Sequence, residues 1–376
     1  MSASNKAARA SSIAGALGRY RAEIETGLRA AVSSAATATP RAAASSRALA
    51  SMYGQIEYHL GWRATDLSPE EGNPGKRLRP TLALLAAELV GGLQAVARAL
   101  PAAVAVELIH NFSLIHDDIE DGDEARHYRP TLWKIWGQAQ AINSGDALYS
   151  LARMRIWELP RLGVEPLLVV RLAERVDQTC LELCEGQHLD MSFEGQRDVT
   201  EAMYLDMIGR KTAALMSCAA ELGARIGAPE DEALGDQLGA FGRALGLAFQ
   251  LRDDVLGIWA AAELGKSEAG DVRRKKMTLP VIHALEHAER ADREALAAIY
   301  AGSGPATDEQ VAQALGILGR SGARQRAYGA LREQLDIATA ALERTRQAAP
   351  PRGEPTREAG EALMSLVDFI RAGTFE

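Results

Sequence analysis

The stretch ELIHNFSLIHDDIEDGDEARHYRPT, Glu107 to Thr131, joins an apolar helical pattern to a sudden cluster of carboxylates. On a helix, Asp117 and Asp121 lie one turn apart on one face, with Asp118 beside them. The preceding residues, LIHNFSLI, are apolar, so these carboxylates end a helix that we expect to be buried. Clustered carboxylates repel one another, and Mg²⁺, which takes a few carboxylates together with phosphate oxygens and water, would offset that repulsion. The alternative interpretation is an acidic, solvated helix end.

The rest of the 376-residue chain also favours helices. From Thr81 onward, segments of roughly 15 to 30 residues without strand-like alternation are separated by glycine and proline. Ala, Leu, Arg and Glu dominate the composition, and these residues are good helix formers. We therefore expect an all-α fold: one large helical bundle over residues 1–376 around a central deep cavity, with a low-complexity loop at 35–48 and a second loop at 64–75.

A second acidic pair and three basic segments complete the candidate site. Asp253 and Asp254 end another strongly apolar stretch, LAFQLRDDVLGIW. Two buried helices that both end in carboxylates suggest that the pairs face each other across one cavity. The basic segments are PGKRLRP, IGRKTAAL and GKSEAGDVRRKKMTLP, and the first places three cations on a turn that leads into a helix. Such a turn suits a phosphate or diphosphate, although each cluster alone could be a solvated charge run.

Composition excludes several other classes. The net charge of −8 argues against a nucleic-acid binder, which needs a basic surface. Three cysteines cannot form a disulfide framework and are expected to be reduced. The N-terminus lacks the apolar core of a secretory signal, and Leu82–Ile109 is interrupted by Glu88, Arg98 and Pro101. We expect a cytoplasmic protein with no integral membrane segment.

Taken together, these segments resemble the trans-isoprenyl diphosphate synthases, the polyprenyl synthetase family. The motifs that carry the resemblance are GKRLRP, DDIED with the downstream R and PT, NSGDAL, RKT, and FQLRDD followed by GK, KK and LP. The likeness spans nearly the whole chain and implies the isoprenoid synthase fold and a homodimer. It implies a prenyltransferase that joins isopentenyl diphosphate head to tail to an allylic diphosphate. The expected product is an all-trans diphosphate of geranylgeranyl (C20) or farnesyl (C15) length.

The resemblance also implies roles for the positions that match the family's motifs. Magnesium, two or three ions per site, is expected on Asp117, Asp118, Asp121, Asp253 and Asp254. Isopentenyl diphosphate is expected on Lys76, Arg79 and His110, with His127 as a further contact. The allylic diphosphate is expected near Arg126, Lys266 and Lys276, which bind it, and near the catalytic Lys211, Thr212 and Gln250.

Product length is expected to depend on Phe112 and Ser113, which lie about one turn before Asp117. In families of this kind, a bulky residue at either position forms the floor beneath the growing hydrocarbon tail. A large Phe112 beside a small Ser113 resembles C20-type enzymes. The alternative is that Phe112 only packs between helices.

Two positions depart from the family pattern. The second aspartate motif is normally DDxxD, and here Gly257 takes the last position. The family's paired arginines appear as Arg126 followed by His127. Because histidine titrates near neutrality, the binding of isopentenyl diphosphate is expected to be weaker or to depend on pH.

Two other functions remain open at this point. A class I terpene cyclase would use the same aspartates to ionise its substrate, but the sequence has no N-D-x-x-S-x-x-x-E pattern. Lys76, Arg79 and His110 also argue against a cyclase, because they match positions for isopentenyl diphosphate. Gly257 suggests a non-catalytic regulatory subunit of a heteromeric synthase, and the intact first aspartate motif argues against it.

Overall fold

In the computed structural model, the described residues are 13–37, 43–72, 75–126, 128–196, 198–263, 269–349 and 353–372. They are almost entirely helical, as expected. The helices in chain order are α1 (Arg21–Thr37), α2 (Ala43–His59), α3 (Leu78–Gly91), α4 (Leu93–Glu120), α5 (Leu132–Trp136), α6 (Gln138–Ile156), α7 (Pro166–Phe193), α8 (Glu201–Ile208), α9 (Ala214–Gly227), α10 (Glu232–Glu263), α11 (Gly270–Arg273), α12 (Leu279–His287), α13 (Arg290–Ala301), α14 (Asp308–Arg320), α15 (Ala323–Ala348) and α16 (Glu354–Ala372).

Three further short elements lie between these helices. A two-stranded antiparallel hairpin follows α4 and pairs β1 (Ala125–Arg126) with β2 (Arg129–Pro130). A 3₁₀ turn covers Leu159–Leu162, and a π-helical turn, Gly209–Ala213, joins α8 to α9. Single π turns inside helices occur frequently at functional sites, so Gly209–Ala213 is a candidate part of the site.

The chain divides into two compact units, and the first comprises residues 1–180, 218–239 and 345–363. Within it, α4 packs along α3 and α6. Helix α3 is buried continuously from Pro80 to Val90. Helix α9 approaches it so closely that a Cβ at Gly223 would lie 2.0 Å from the carbonyl oxygen of Ala83. This tight packing fixes α3 and α4, the helices that carry the first group of candidate residues.

The second unit comprises residues 181–217, 240–344 and 364–376. Here α10 lies against the π turn, because a Cβ at Gly246 would be 2.7 Å from Cα of Ala213. Gln250 follows Gly246 by one helical turn and is therefore held on the same face of α10. Helix α12 packs on α8, α13 and α14. That the whole chain acts as one domain stays a prediction.

One predicted loop is wrong in its bounds. Residues 35–48 were expected to form a loop, but α1 continues to Thr37 and α2 begins at Ala43. The alanine-rich composition explains the difference, because alanine has the highest helix propensity and extends both helices into the low-complexity stretch. The described part of the second expected loop, 64–75, contains no helix.

Helix α4 bears on the expectation that the chain has no integral membrane segment. By length and composition alone, it could cross a membrane, and it is the one such helix among the described residues. However, 61% of its most apolar window is buried inside the protein. An apolar helix covered by its own chain is typical of a protein core, and α4 has that role in the first unit.

Candidate active site

The end of α4 carries the first aspartate group. Asp118 is 2% exposed, whereas Asp121 lies on the surface at the helix C-cap. Burial raises the pKa of Asp118 to about 6, and the nearby charge of Asp121 adds to the shift. Arg126 opposes it by donating from Nε to Oδ1 of Asp118 at 2.7 Å. The carboxylates of this group thus repel one another, and the guanidinium of Arg126 partly offsets that repulsion.

The hairpin after α4 explains how Arg126 reaches back to the helix end. Its register pairs Arg126 with Arg129. The turn before β1 closes back on α4, because the backbone nitrogen of Asp123 donates to the carbonyl oxygen of Asp118 at 3.0 Å. The loop before β1 is fixed by Thr131 and Trp133, whose side chains both donate to the carbonyl oxygen of Asp123 at 2.9 Å. The downstream PT of the motif therefore serves to anchor the loop that presents Arg126.

Arg79 and His110 meet in the first unit, as expected for residues assigned to one substrate. Arg79 lies in the first turn of α3, and its Nη1 is 3.0 Å from Nε2 of His110 on α4. Burial and the nearby Arg79 and Arg126 hold the pKa of His110 well below its usual value. The ring is therefore neutral at physiological pH, and its Nε2 accepts from the guanidinium.

Arg77 differs in role from the other two cations of the GKRLRP turn. Its backbone is left-handed, with φ of 50°, and its side chain is buried. It donates to Glu25 at 2.7 Å and to Glu107 at 2.8 Å. Arg77 therefore stabilises the core through two carboxylates, whereas Lys76 on the same turn is exposed.

Phe112 and Ser113 are half-buried residues on α4. The Phe112 ring makes an edge contact with His116, with centroids 4.9 Å apart, and a tilted contact with Tyr149 of α6, at 5.5 Å. Ser113 donates to the carbonyl oxygen of His110 at 2.9 Å. The ring of Phe112 is thus held by aromatic neighbours without being fully enclosed. Its role in product length stays a prediction.

In the second unit, a chain of hydrogen bonds links three predicted residues. Thr212, in the π turn, donates to Oε1 of Gln250 at 2.9 Å. Gln250 donates from Nε2 to Oδ1 of Asp254 at 3.0 Å, one turn further along α10. These bonds fix the amide orientation of Gln250, because its oxygen accepts and its nitrogen donates. The RKT and FQLRDD motifs therefore meet in one network.

Asp254 is the centre of that network. It is 2% exposed and accepts from Nζ of Lys276 at 3.3 Å and from the hydroxyl of Tyr204 through a short hydrogen bond. The carboxylate of Asp254 holds the pKa of Lys276 above its ordinary value despite burial. Lys276 therefore remains a fixed cation at neutral pH.

Lys211 is positioned by a residue that the sequence did not single out. Its Nζ donates to Oδ2 of Asp190, near the end of α7, at 2.6 Å. Helix α7 is close enough for this contact because Gly186 has no side chain: a Cβ there would lie 2.3 Å from the backbone nitrogen of Lys211. Asp190 and Tyr204 had no motif to mark them, since both contacts depend on tertiary packing.

The expectation that Asp253 and Asp254 end their helix is wrong, because α10 continues beyond them to Glu263. The two carboxylates also differ in setting. Asp254 is enclosed by its network, whereas the side chain of Asp253 is 45% exposed, with Nη1 of Arg252 3.7 Å away. Within the described part of the chain, no three His, Cys, Asp or Glu side chains form a preformed metal cage. The oxygen-only donor sets nevertheless fit Mg²⁺, which uses few protein carboxylates and completes its shell with phosphate and water. His127 and Lys266, both predicted to bind substrate, lie outside the described residues.

The chain is similar to known proteins in sequence and in structure. Two proteins of Mycobacterium tuberculosis are similar to the chain. One, named geranylgeranyl diphosphate synthase, is 42% identical over 295 residues, covering 78% of this chain and 81% of the relative. The other, named (2E,6E)-farnesyl diphosphate synthase, is 39% identical over 321 residues, covering 84% of each. The crystal structure of a polyprenyl synthetase from Streptomyces coelicolor A3(2) matches with a TM-score of 0.79 and 36% identity, covering 95% of this chain and 99% of that one.

The polyprenyl synthetase family model matches residues 70–318, a range that contains the described site residues of both units. The predicted all-α isoprenoid synthase fold and the predicted prenyltransferase class are confirmed by these matches. They favour neither a terpene cyclase nor a regulatory subunit. The chain belongs to the polyprenyl synthetase family of isoprenoid biosynthesis.

Proposed function

We propose that the protein condenses isopentenyl diphosphate head to tail with an allylic diphosphate and releases an all-trans product of C20 or C15 length. The observation that carries the proposal is the buried carboxylate of Asp118 at the end of apolar α4, in the same unit as the Arg79–His110 pair. A metal-binding carboxylate and a fixed anion site on neighbouring helices suit two diphosphate substrates. The relatives named for C20 and C15 products support the two lengths.

The first step assigned to this chain is the binding of isopentenyl diphosphate. Arg79 is permanently charged and offers a forked set of donors that matches phosphate oxygens. The neutral ring of His110 accepts one of those donors and so sets the direction of the guanidinium. We propose that Lys76, exposed on the same turn, adds a second cation.

The second step is the departure of the diphosphate from the allylic substrate. We propose that Lys211 and Lys276 face the charge that develops there, each held by a carboxylate partner, Asp190 or Asp254. Cations already fixed in place stabilise a developing charge without reorganising during the reaction. Gln250 and Thr212 keep Asp254 oriented, so their catalytic role is exerted partly through that carboxylate.

Mg²⁺ is the cofactor that we propose, held by two groups of carboxylates. When bound, it neutralises charge on the leaving diphosphate. The residues that would hold it are Asp117, Asp118, Asp121, Asp253 and Asp254. In the first group, the raised pKa of Asp118 supports this assignment, because burial makes the ionised carboxyl costly unless a cation accompanies it.

We also propose a cytoplasmic homodimer. Met154, in the last turn of α6, and Trp157, its C-cap residue, are exposed, and so are Leu167 and Val170, which share one face of α7. Exposed large apolar side chains on neighbouring helices are typical of an interface. With three cysteines the chain cannot form a disulfide framework, which suits a reducing compartment. Light scattering with Trp157→Glu tests the dimer, since a charge there should shift the mass toward the monomer.

The activity is tested by measuring inorganic diphosphate released from isopentenyl diphosphate and geranyl diphosphate, together and singly, with Mg²⁺ or with a chelator. We expect release only when both substrates and Mg²⁺ are present. Release from the allylic diphosphate alone would indicate a cyclase. No release in any mixture would contradict the proposed activity.

A further inference from the structure

Residues 61–72 form a loop whose two halves are hydrogen-bonded to each other. The backbone nitrogen of Gly72 donates to the carbonyl oxygen of Gly61 at 2.8 Å, and that of Glu70 donates to the carbonyl oxygen of Trp62 at 3.0 Å. In the chain this segment stands between α2 and α3, and we call it the connecting loop. Because its own backbone bonds restrict its conformations, contacts on its two sides are linked through it.

Arg129 binds the connecting loop to the hairpin that presents Arg126. It lies in β2, opposite Arg126 in β1. Its Nη2 donates to the carbonyl oxygen of Arg63 and forms an ion pair with Glu70 at 3.1 Å. Gly72 leaves room for the guanidinium, because a Cβ there would lie 3.0 Å from Nη1 of Arg129. The planar, forked guanidinium thus holds a backbone carbonyl and a carboxylate of the loop at once.

Tyr58, just before the connecting loop, adds a second contact to the same hairpin. The guanidinium of Arg129 lies over its ring, with Cζ 4.2 Å from the ring centroid. The hydroxyl of Tyr58 donates to the carbonyl oxygen of Pro130 at 2.8 Å. Tyr58 is 3% exposed, and a cation over a ring that is shielded from water is attracted more strongly than one at the surface. The loop and the hairpin are therefore held together at a place that largely excludes water.

On its other side, the connecting loop is bonded to the GKRLRP turn through Glu25 of α1. Nε1 of Trp62 donates to Oε2 of Glu25 at 3.3 Å, and Nε of Arg77 donates to Oε1 at 2.7 Å. The side chains of Arg77 and Glu25 are 2% and 20% exposed, so the ion pair is largely shielded from solvent. One carboxylate thus joins the loop to the turn that carries Lys76 and Arg79.

We infer that Arg129 and Glu25 are positioning residues, which hold the hairpin and the GKRLRP turn at a fixed spacing through the connecting loop. The inference rests on the proposed function, because it takes Arg126 on the hairpin for the allylic diphosphate and the turn for isopentenyl diphosphate. Condensation requires the reacting carbons to lie about 3–3.5 Å apart, so a misplacement of about 1 Å is costly. Both residues act on the reaction through the loop and not by touching a substrate.

The inference is tested by steady-state condensation kinetics, which give kcat and the KM for isopentenyl and geranyl diphosphate at saturating Mg²⁺. The proteins are the parent, Arg129→Met, Glu25→Gln and the double variant. Lys134→Met is the matched control, because it breaks an exposed ion pair with Glu124 just after the hairpin. Arg129→Lys and Glu25→Asp replace the first two variants if circular dichroism shows that either of them fails to fold.

We expect Glu25→Gln to raise the KM for geranyl diphosphate by about threefold to tenfold, although Glu25 contacts the turn assigned to the other substrate. Arg129→Met should raise both KM values by a similar factor. The double variant should be at most about twofold worse than the more affected single variant, because a connection already broken at one anchor loses little at the other. A purely structural role would lower the amount of folded enzyme and so the apparent kcat, with both KM values unchanged. Lys134→Met should match the parent.

Two results would overturn the inference: a parental KM for geranyl diphosphate in Glu25→Gln, or single effects that multiply in the double variant. A failure of the proposed function is distinct from both, because the parent itself would then show no condensation.

Discussion

Arg126 lies in the first strand of the hairpin that follows α4, and it donates to Asp118 in the last turn of that helix. The Asp118 side chain is 3% exposed and that of Arg126 is 30% exposed, so the pair lies at the margin of the core. The sequence assigned one residue to metal and the other to substrate. In the structure the arginine also opposes the rise in the pKa of Asp118 that burial causes.

The first prediction concerns that pair. Arg126→Met should lower the free energy of unfolding by roughly 2 kcal/mol, because it leaves a buried carboxyl without its charged donor. Urea denaturation measures the loss. Lys134→Met is the matched control: it breaks a solvent-exposed pair with Glu124 and should cost less than about 1 kcal/mol. Equal losses in the two variants would contradict a supporting role for Arg126.

The second prediction concerns pH. The pKa of His110 lies well below its usual value because of burial and because of the positive charges of Arg79, Arg126 and Arg77, together with His59. Between that pKa and about 6.5, only the unfolded chain takes up the proton. The contribution of neutral His110 to the free energy of unfolding is therefore fully present above about pH 6.5. Below that pH the free energy of unfolding falls by up to roughly 1.4 kcal/mol per pH unit because of this residue.

His110→Gln cannot take up that proton, so its free energy of unfolding should fall less steeply below pH 6.5 than that of the parent. Urea denaturation at pH 5.0 to 7.5 provides the comparison. His188→Gln controls for the loss of a histidine at an exposed position. Parallel pH profiles for the parent and His110→Gln would show that His110 is not held neutral by the fold.

The third prediction concerns Tyr204, which the sequence did not mark. Tyr204→Phe removes the hydroxyl that donates to Asp254 and leaves one lone pair of a buried carboxylate unsatisfied. We expect a loss of about 2 kcal/mol in stability and a lower kcat, because Asp254 then holds Lys276 less firmly. Tyr128→Phe, at a fully exposed ring, should stay within about 0.5 kcal/mol of the parent. An unchanged kcat in Tyr204→Phe would show that Tyr204 contributes to stability and not to catalysis.

The fourth prediction concerns product length. Phe112→Ala removes a ring that packs on His116 and Tyr149 but is only half-buried. If it forms the floor, products should lengthen by at least one isoprene unit, with a stability loss below the roughly 3–5 kcal/mol of a fully buried phenylalanine. Phe241→Leu, at a fully buried ring, should change stability and leave product length unchanged. If Phe112→Ala makes products of the same length as the parent, Phe112 does not form the floor and only packs between helices.

The parts of the site that depend on local spacing could be predicted from the sequence. Asp117, Asp118 and Asp121 fall on one helix end because of helical periodicity, and the Thr212–Gln250–Asp254 network joins residues that two motifs had already marked. Arg77 and Arg79 show the limit of such reasoning. They stand two residues apart in one basic turn, yet a left-handed backbone at Arg77 turns it into the core.

The contacts that could not be predicted from the sequence all depend on packing between segments that are distant along the chain. Asp190 reaches Lys211 because Gly186 lets α7 approach the π turn, and no local pattern contains that information. Asp271 lies beside Gly257 for a similar reason, and a Cβ at that glycine would meet its carboxylate. The glycine was visible in the sequence as a missing carboxylate, but this contact was not.

We propose that this chain elongates an allylic diphosphate with isopentenyl diphosphate to a defined all-trans length. The most direct test is to incubate the purified protein with Mg²⁺, isopentenyl diphosphate and dimethylallyl, geranyl or farnesyl diphosphate, then to remove the phosphates and identify the alcohols by gas chromatography and mass spectrometry. We predict all-trans geranylgeraniol or farnesol as the main product. A cyclic hydrocarbon, or unchanged primers in every mixture, would contradict the account.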